Sequence, residues 1–91
     1  MSYELVLKEK FIKKSIKLLK KNPKLKEQFD KTIKQLEKDP FYPSLRLHKL
    51  KGSLKEYYSV SINMSYRIVI DLIIIDNKII LLDIGNHDEV Y

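Results

Sequence analysis

The sequence predicts one α+β domain, in which a helical hairpin packs on one face of a mainly antiparallel sheet in the order β-α-α-β-β-β-β. Three observations carry this reading. The hydrophobic period changes from two to helical at Glu9 and returns to two after Pro43. Asn22-Pro23 and Asp39-Pro40 cut the helical stretch into two pieces. Residues 45–84 then hold four strand-like segments, joined by links so short that consecutive strands must be antiparallel neighbours. A chain of 91 residues has material for one core, so the domain spans residues 1–91.

Each element has its own signal. Residues 3–7 (YELVL) alternate weakly and form a short first strand. Ile12, Ile16 and Leu19, with Phe11 and Leu18 beside them, make one apolar stripe, and lysines at 10, 13, 14, 17, 20 and 21 cover most of the remaining surface. Pro23 suits the first turn of a second helix, in which Leu25, Phe29, Ile33 and Leu36 repeat at helical spacing. Residues 45–51 (LRLHKLK) form the second strand and end at Gly52. In residues 56–63, Tyr58, Val60 and Ile62 take one face while Tyr57, Ser59, Ser61 and Asn63 take the other. Residues 66–75 (YRIVIDLIII) form a longer run rich in β-branched residues, as in a central strand buried on both faces, and Asp76-Asn77 turns the chain into a last strand over 78–84. The sheet face away from the helices carries the polar alternates and is open for binding.

Composition excludes several classes. With 44% hydrophobic residues and only five Gly or Pro, the chain is not disordered. The absence of cysteine removes disulfides, thiolate metal sites and a cysteine nucleophile, and fits a reducing, cytoplasmic setting. The N-terminus is charged too early for a signal peptide, and the longest apolar run, Leu72–Ile75, is far short of a membrane span of roughly 20 residues. Two glycines cannot build a phosphate loop or dinucleotide fingerprint, and two histidines 39 positions apart are a poor metal set. No metal or cofactor is expected.

The net charge of +6 is unevenly placed. The lysines of residues 8–38 read as solvated helix faces. Residues 40–67, in contrast, hold Arg46, Lys49, Lys51, Lys55 and Arg67 against Glu56 alone, in strand-like sequence. That stretch points to a polyanionic partner, either nucleic acid or an acidic protein segment.

The residues able to do chemistry fall in LRLHKLKG (45–52), SYRIVI (65–70) and GNHDEVY (85–91). Arg46, Lys49, Lys51, Lys55 and Arg67 make a cationic surface, and Tyr57, Tyr66 and Tyr91 supply rings or hydroxyls. Together these suit single-stranded RNA, with cations on phosphates and rings on bases. His48 and His87 add acid–base groups of the kind that drive attack of a ribose 2′-OH on its own phosphodiester without a metal. Structural roles stand beside these. His48 serves equally as a packing residue, Arg67 as a partner for Asp71 or Asp83, and Tyr91 as a cover for the sheet edge. His87, in polar loop-like sequence past the last strand, is better placed for function.

In order, HKLKG (48–52), YYSVSI (57–62), YRIVI (66–70) and LLDIGNHDEVY (81–91) resemble the RelE/ParE superfamily of type II toxins, with its K-L-R/K-G, Y-R-L/I-V-Y/F and terminal E-V-Y motifs. The resemblance covers about half the chain and implies the same topology. It implies a ribosome-dependent mRNA endonuclease of a toxin–antitoxin system, bound by a cognate antitoxin and monomeric when free. By the same resemblance Lys49 and Lys51 contact RNA and assist the chemistry. Arg67 stabilises the transition state, and Tyr91 stacks on the substrate or aids proton transfer. The YafQ branch is similar in its H-x-L-x-G, which falls on His48–Gly52, in a near-terminal histidine taken as general acid, which falls on His87, and in a terminal aromatic on Tyr91. Where that branch has a second strand histidine and an aspartate, this chain has Ser61 and Ser65. Two other readings are a ParE-like inhibitor that binds DNA gyrase and an inactive relative that binds only antitoxin or RNA.

Overall fold

The computed structural model describes residues 2–52 and 56–90, and the backbone alone of His87 and Glu89. The chain runs through β1 (Glu4–Leu7), α1 (Glu9–Lys21), a 3-10 turn (Pro23–Leu25) and α2 (Lys26–Lys38). A second 3-10 turn (Pro43–Leu45) leads to β2 (His48–Lys49), β3 (Tyr58–Ser61) and β4 (Tyr66–Ile73). A third (Ile74–Asp76) leads to β5 (Lys78–Asn86), and α3 (His87–Val90) follows. The sheet order is β1-β5-β4-β3-β2. The expected antiparallel neighbours all pair, and β1 lies parallel to β5, with Glu4 opposite Lys78 and Leu7 opposite Leu81. β5 therefore has a strand on both sides, which suits a segment whose Ile79, Leu81 and Ile84 are buried. Among the described residues no helix is long and apolar enough to cross a membrane.

Both helices cover one sheet face, against Val60, Ile68, Ile70, Ile79 and Leu81. The apolar stripe of α1 is rotated from the expected one. Phe11 and Ser15 are buried, while Ile12 and Ile16 are 41% and 54% exposed. The reason is size and fit. Phe11 buries a larger surface than either isoleucine and stacks on Phe29 of α2 with ring centroids 6.2 Å apart, while small Ser15 lets the helix approach the sheet. In α2 the expected Leu25, Phe29, Ile33 and Leu36 do face the core, although Pro23 and Leu25 belong to the preceding 3-10 turn.

Lys14 and Lys10 of α1 reach Asp83 of β5 at 2.7 and 3.4 Å, and the Ile84 N–H donates to the same carboxylate at 2.8 Å. Burial pushes the Asp83 carboxyl upward, but the hydrogen bonds from Lys14 and Ile84, with the charges of Lys14 and Lys10, outweigh it and hold its pKa below the ordinary value.

Several boundaries depart from expectation, and the strand expected over 56–63 is confined to Tyr58–Ser61. The second strand shrinks from 45–51 to His48–Lys49, because Pro43 opens a 3-10 turn and Arg46 leaves it in the left-handed region at φ 49°. β4 stops at Ile73; Asn77, also left-handed at φ 53°, closes a turn that leaves Ile74 and Ile75 exposed. The last strand runs two residues further than 84, to Asn86, and His87 opens α3 instead of lying in a loop. The face away from the helices is only partly open. There Leu50, Val69 and Val90 are buried together, with Tyr57 and Leu82 against them, in a second small core.

Candidate functional site

Beside that second core, on the same face, the pairing of β2, β3 and β4 gathers polar groups. His48 lies opposite Ser59, and Ser59 and Ser61 lie opposite Val69 and Arg67 of β4. This register sets the Arg67 guanidinium beside Ser59, His48 and the Arg46 backbone. Its Nε donates to Ser59 Oγ at 3.0 Å. Its Nη2 donates to the Arg46 carbonyl at 3.2 Å and to His48 Nδ1 at 3.1 Å.

Toward Arg67, whose guanidinium has only donors, Nδ1 is the accepting atom, and Nε2 lies 3.5 Å from Ser59 Oγ. Nδ1 is also 3.3 Å from the Arg46 carbonyl, and the Nη2 donor serves both acceptors at once. The carbonyl points into the site because Arg46 is left-handed, a conformation that costs a residue other than glycine about 1–3 kcal/mol. Ser59 is fully buried yet satisfied.

The β3–β4 turn that aims Arg67 is held by Asn63. Its Oδ1 accepts the Ser65 and Tyr66 N–H groups, each at 2.8 Å, and its carbonyl accepts Ser61 Oγ at 2.6 Å. Chemically, the cluster offers a fixed cation for an oxyanion, an imidazole and a buried hydroxyl that orients the cation.

A family model for YafQ, the bacterial toxin of a type II toxin–antitoxin system, matches residues 3–91. The chain belongs to this family. The fold agrees with that of YafQ from Escherichia coli BL21(DE3), at a TM-score of 0.79 and 18% identity over 98% of each chain. YafQ in the E. coli DinJ–YafQ toxin–antitoxin complex gives a TM-score of 0.77 at 18% identity, over 100% of this chain and 99% of that one. A conserved hypothetical protein of Helicobacter pylori, known by its solution structure, gives 0.76 at 29% identity over the whole of both chains. No curated protein sequence matches the chain. The α+β, RelE-like architecture and the kinship with type II toxins are thus established.

Of the site residues expected for a YafQ-family toxin, the structure brings Arg67, His48 and the Arg46 backbone together. Lys49 pairs with Tyr58, on the opposite side of the strand from His48, and is exposed. Lys51 is exposed past the end of β2. Tyr57 rests half-buried on the second core, and Tyr66 packs on the first, toward the helices. His87 begins α3 directly after Asn86, whose partner across the ladder is Tyr66, and Gly85 lies opposite Arg67. Lys55 and Tyr91 lie outside the described residues.

Asp83, one of the two carboxylates expected beside Arg67, is engaged by Lys10 and Lys14. Sequence reading missed Ser59 and the Arg46 carbonyl. The period of two puts Ser59 on the polar face, but only the β2–β3 register shows that it sits between His48 and Arg67.

Proposed function

We propose that this toxin cleaves mRNA on the ribosome, in the cytoplasm, as a metal-independent endoribonuclease, and that a cognate antitoxin neutralises it. The observation that carries the reading is the shared hydrogen bonding of Arg67 with His48 Nδ1, Ser59 Oγ and the Arg46 carbonyl. The DinJ–YafQ complex supports the antitoxin.

When a scissile phosphate arrives, its oxygens draw Arg67 Nη2 away from His48 and so release the Nδ1 lone pair. The substrate 2′-oxygen attacks phosphorus while its proton passes to Nδ1. The bond from phosphorus to the 5′-oxygen breaks, that oxygen keeps the electron pair, and it takes a proton from His87, leaving a 2′,3′-cyclic phosphate. Arg67 holds the added negative charge on the phosphoryl oxygens. Lys49, Lys51, Lys55 and Arg46 hold neighbouring phosphates, and Tyr57 and Tyr91 contact bases or sugars, while Tyr66 packs toward the helices.

The test is mRNA cleavage in a purified translation reaction. Arg67→Ala is expected to slow it about 10²–10³-fold while circular dichroism shows an intact fold. Arg67→Lys recovers part of the rate, because an ammonium lacks the two-pronged fork. Full-rate cleavage by Arg67→Ala overturns the assignment, and wild-type protein that cuts no mRNA overturns the function.

A further inference from the structure

A cleft of about 320 Å³ lies outside the His48–Arg67 cluster, between α2, the Pro43–Leu45 turn and β3. Lys31, Lys34 and Lys38 line it from α2, Ser44 and Leu45 from the turn, and Ser61 from β3. It exists because β2 is only two residues long and pairs with Tyr58 and Ser59, so among the described residues no strand lies beside the sheet edge at Ser61. Positions 31, 34 and 38 recur at helical spacing, so the three ammonium groups share one face and span about 10 Å of axis. Among the described residues Lys31 has an ion pair, to Glu27 at 3.5 Å; Lys34 and Lys38 have none.

The cleft is continuous with the site at both of its other walls. Ser61 is the ladder partner of Arg67, and Ser44–Leu45 leads directly into Arg46. We infer that this lysine cleft binds the sugar–phosphate backbone of single-stranded RNA and feeds the strand over the sheet edge to Arg67. Three cations with hydroxyls among them, and little ring surface, suit a backbone that is read for charge and not for sequence. The inference rests on the ribonuclease reading and adds a substrate-holding region to it. The lysines of α2 then do more than keep a helix face solvated.

The test uses the full chain and a fluorescent single-stranded RNA oligonucleotide, 2′-O-methylated so that it binds without being cut. A Lys31→Gln/Lys34→Gln/Lys38→Gln variant is compared with wild type across a salt series. Each lost phosphate contact lowers the slope of log affinity against log salt by about 0.7, so the triple variant should lose about 2 in slope. Its affinity near physiological salt should fall roughly tenfold. A Lys13→Gln/Lys17→Gln/Lys20→Gln variant removes equal charge from α1 and should keep the wild-type slope.

An unchanged slope in the α2 variant, with wild-type protein still cutting RNA, overturns the cleft alone. Equal losses in both variants also overturn it, since they report net charge instead of a site. An α2 variant that loses antitoxin affinity but keeps its RNA slope assigns the cleft to a protein partner and overturns it too. Wild-type protein that neither binds nor cuts RNA overturns the cleft together with the ribonuclease reading.

Discussion

Ser59→Ala separates a side chain that positions Arg67 from one that merely fills the strand. Ser59 is fully buried, and its Oγ accepts Arg67 Nε at 3.0 Å. The contact to His48 Nε2, at 3.5 Å, is too long to count for much. Alanine keeps the packing, since only one oxygen is lost, but it leaves a charged donor without its buried acceptor. A hydrogen bond to a charged group contributes about 1.5–3 kcal/mol, and a half-buried guanidinium recovers some of this from water. The expected loss is therefore about 1.5 kcal/mol. For a domain of this size that lowers Tm by about 6–12 °C, read by thermal circular dichroism. In the proposed reaction Arg67 would keep its Nη2 contacts but lose the one that fixes its plane. Cleavage should slow about tenfold, an increment of about 1.4 kcal/mol in the barrier, in kcat more than in KM. If Ser59→Ala melted and cleaved like wild type, Arg67 would not depend on Ser59, and the site as described would lose its central bond.

Other consequences are simpler to read. Gly52 sits at φ 69° with nothing within 4 Å of a would-be Cβ. Gly52→Ala should therefore cost about 1–2 kcal/mol from backbone strain alone, measured by urea denaturation. Phe11→Ala should cost about 3–5 kcal/mol, whereas Ile16→Ala should stay within about 0.5 kcal/mol, because the first is buried and the second is not; equal losses would restore the Ile12–Ile16 stripe as the packing face. The Asp83 pKa is lowered on folding, so its ion pairs stabilise the fold above the unfolded carboxyl value of about 3.9 and lose that effect as pH falls through the lower folded value. Denaturation at neutral pH should show Asp83→Asn about 1–2 kcal/mol less stable than wild type. The gap should close as pH falls through the lowered folded value, and a gap independent of pH would show that the carboxylate charge is not what matters.

The sheet was legible in the sequence because its alternation is driven by burial, which works residue by residue. Tyr58, Val60 and Ile62 face the core for that reason, and the three hairpin pairings follow from links too short to allow anything else. What local pattern could not show depends on competition between distant segments. Ile12 and Phe11 are adjacent on α1, and only the presence of Phe29 across the helix pair decides which of them turns inward. Ile74 and Ile75 look like strand, yet the chain must turn at Asn77 to bring β5 back. The left-handed conformation of Arg46 had no glycine or asparagine to announce it, so the second strand looked longer than it is. In the site, Arg67 and His48 were visible as residue types, but their contact needs two registers at once, His48 with Ser59 and Ser61 with Arg67.

The same two registers explain how the strands set a permanent cation beside an imidazole. Ser59 and His48 on the strands, with Arg46 at the end of the preceding turn, supply Arg67 with a hydroxyl, a ring nitrogen and a carbonyl. In the proposed mechanism these acceptors are weaker than phosphate oxygens, so they hold the guanidinium in place and yield it when the substrate binds. His48 then acts as a base only after Arg67 has moved to phosphate, which couples proton transfer to correct seating of the scissile bond. Arg46 gives this arrangement its direction. Its strained backbone is not required by packing, since its side chain is exposed, but it turns a carbonyl toward Arg67 that an extended strand would have turned away. A two-residue β2 follows from that turn, and with it the open edge at Ser61 where the lysines of α2 meet the sheet.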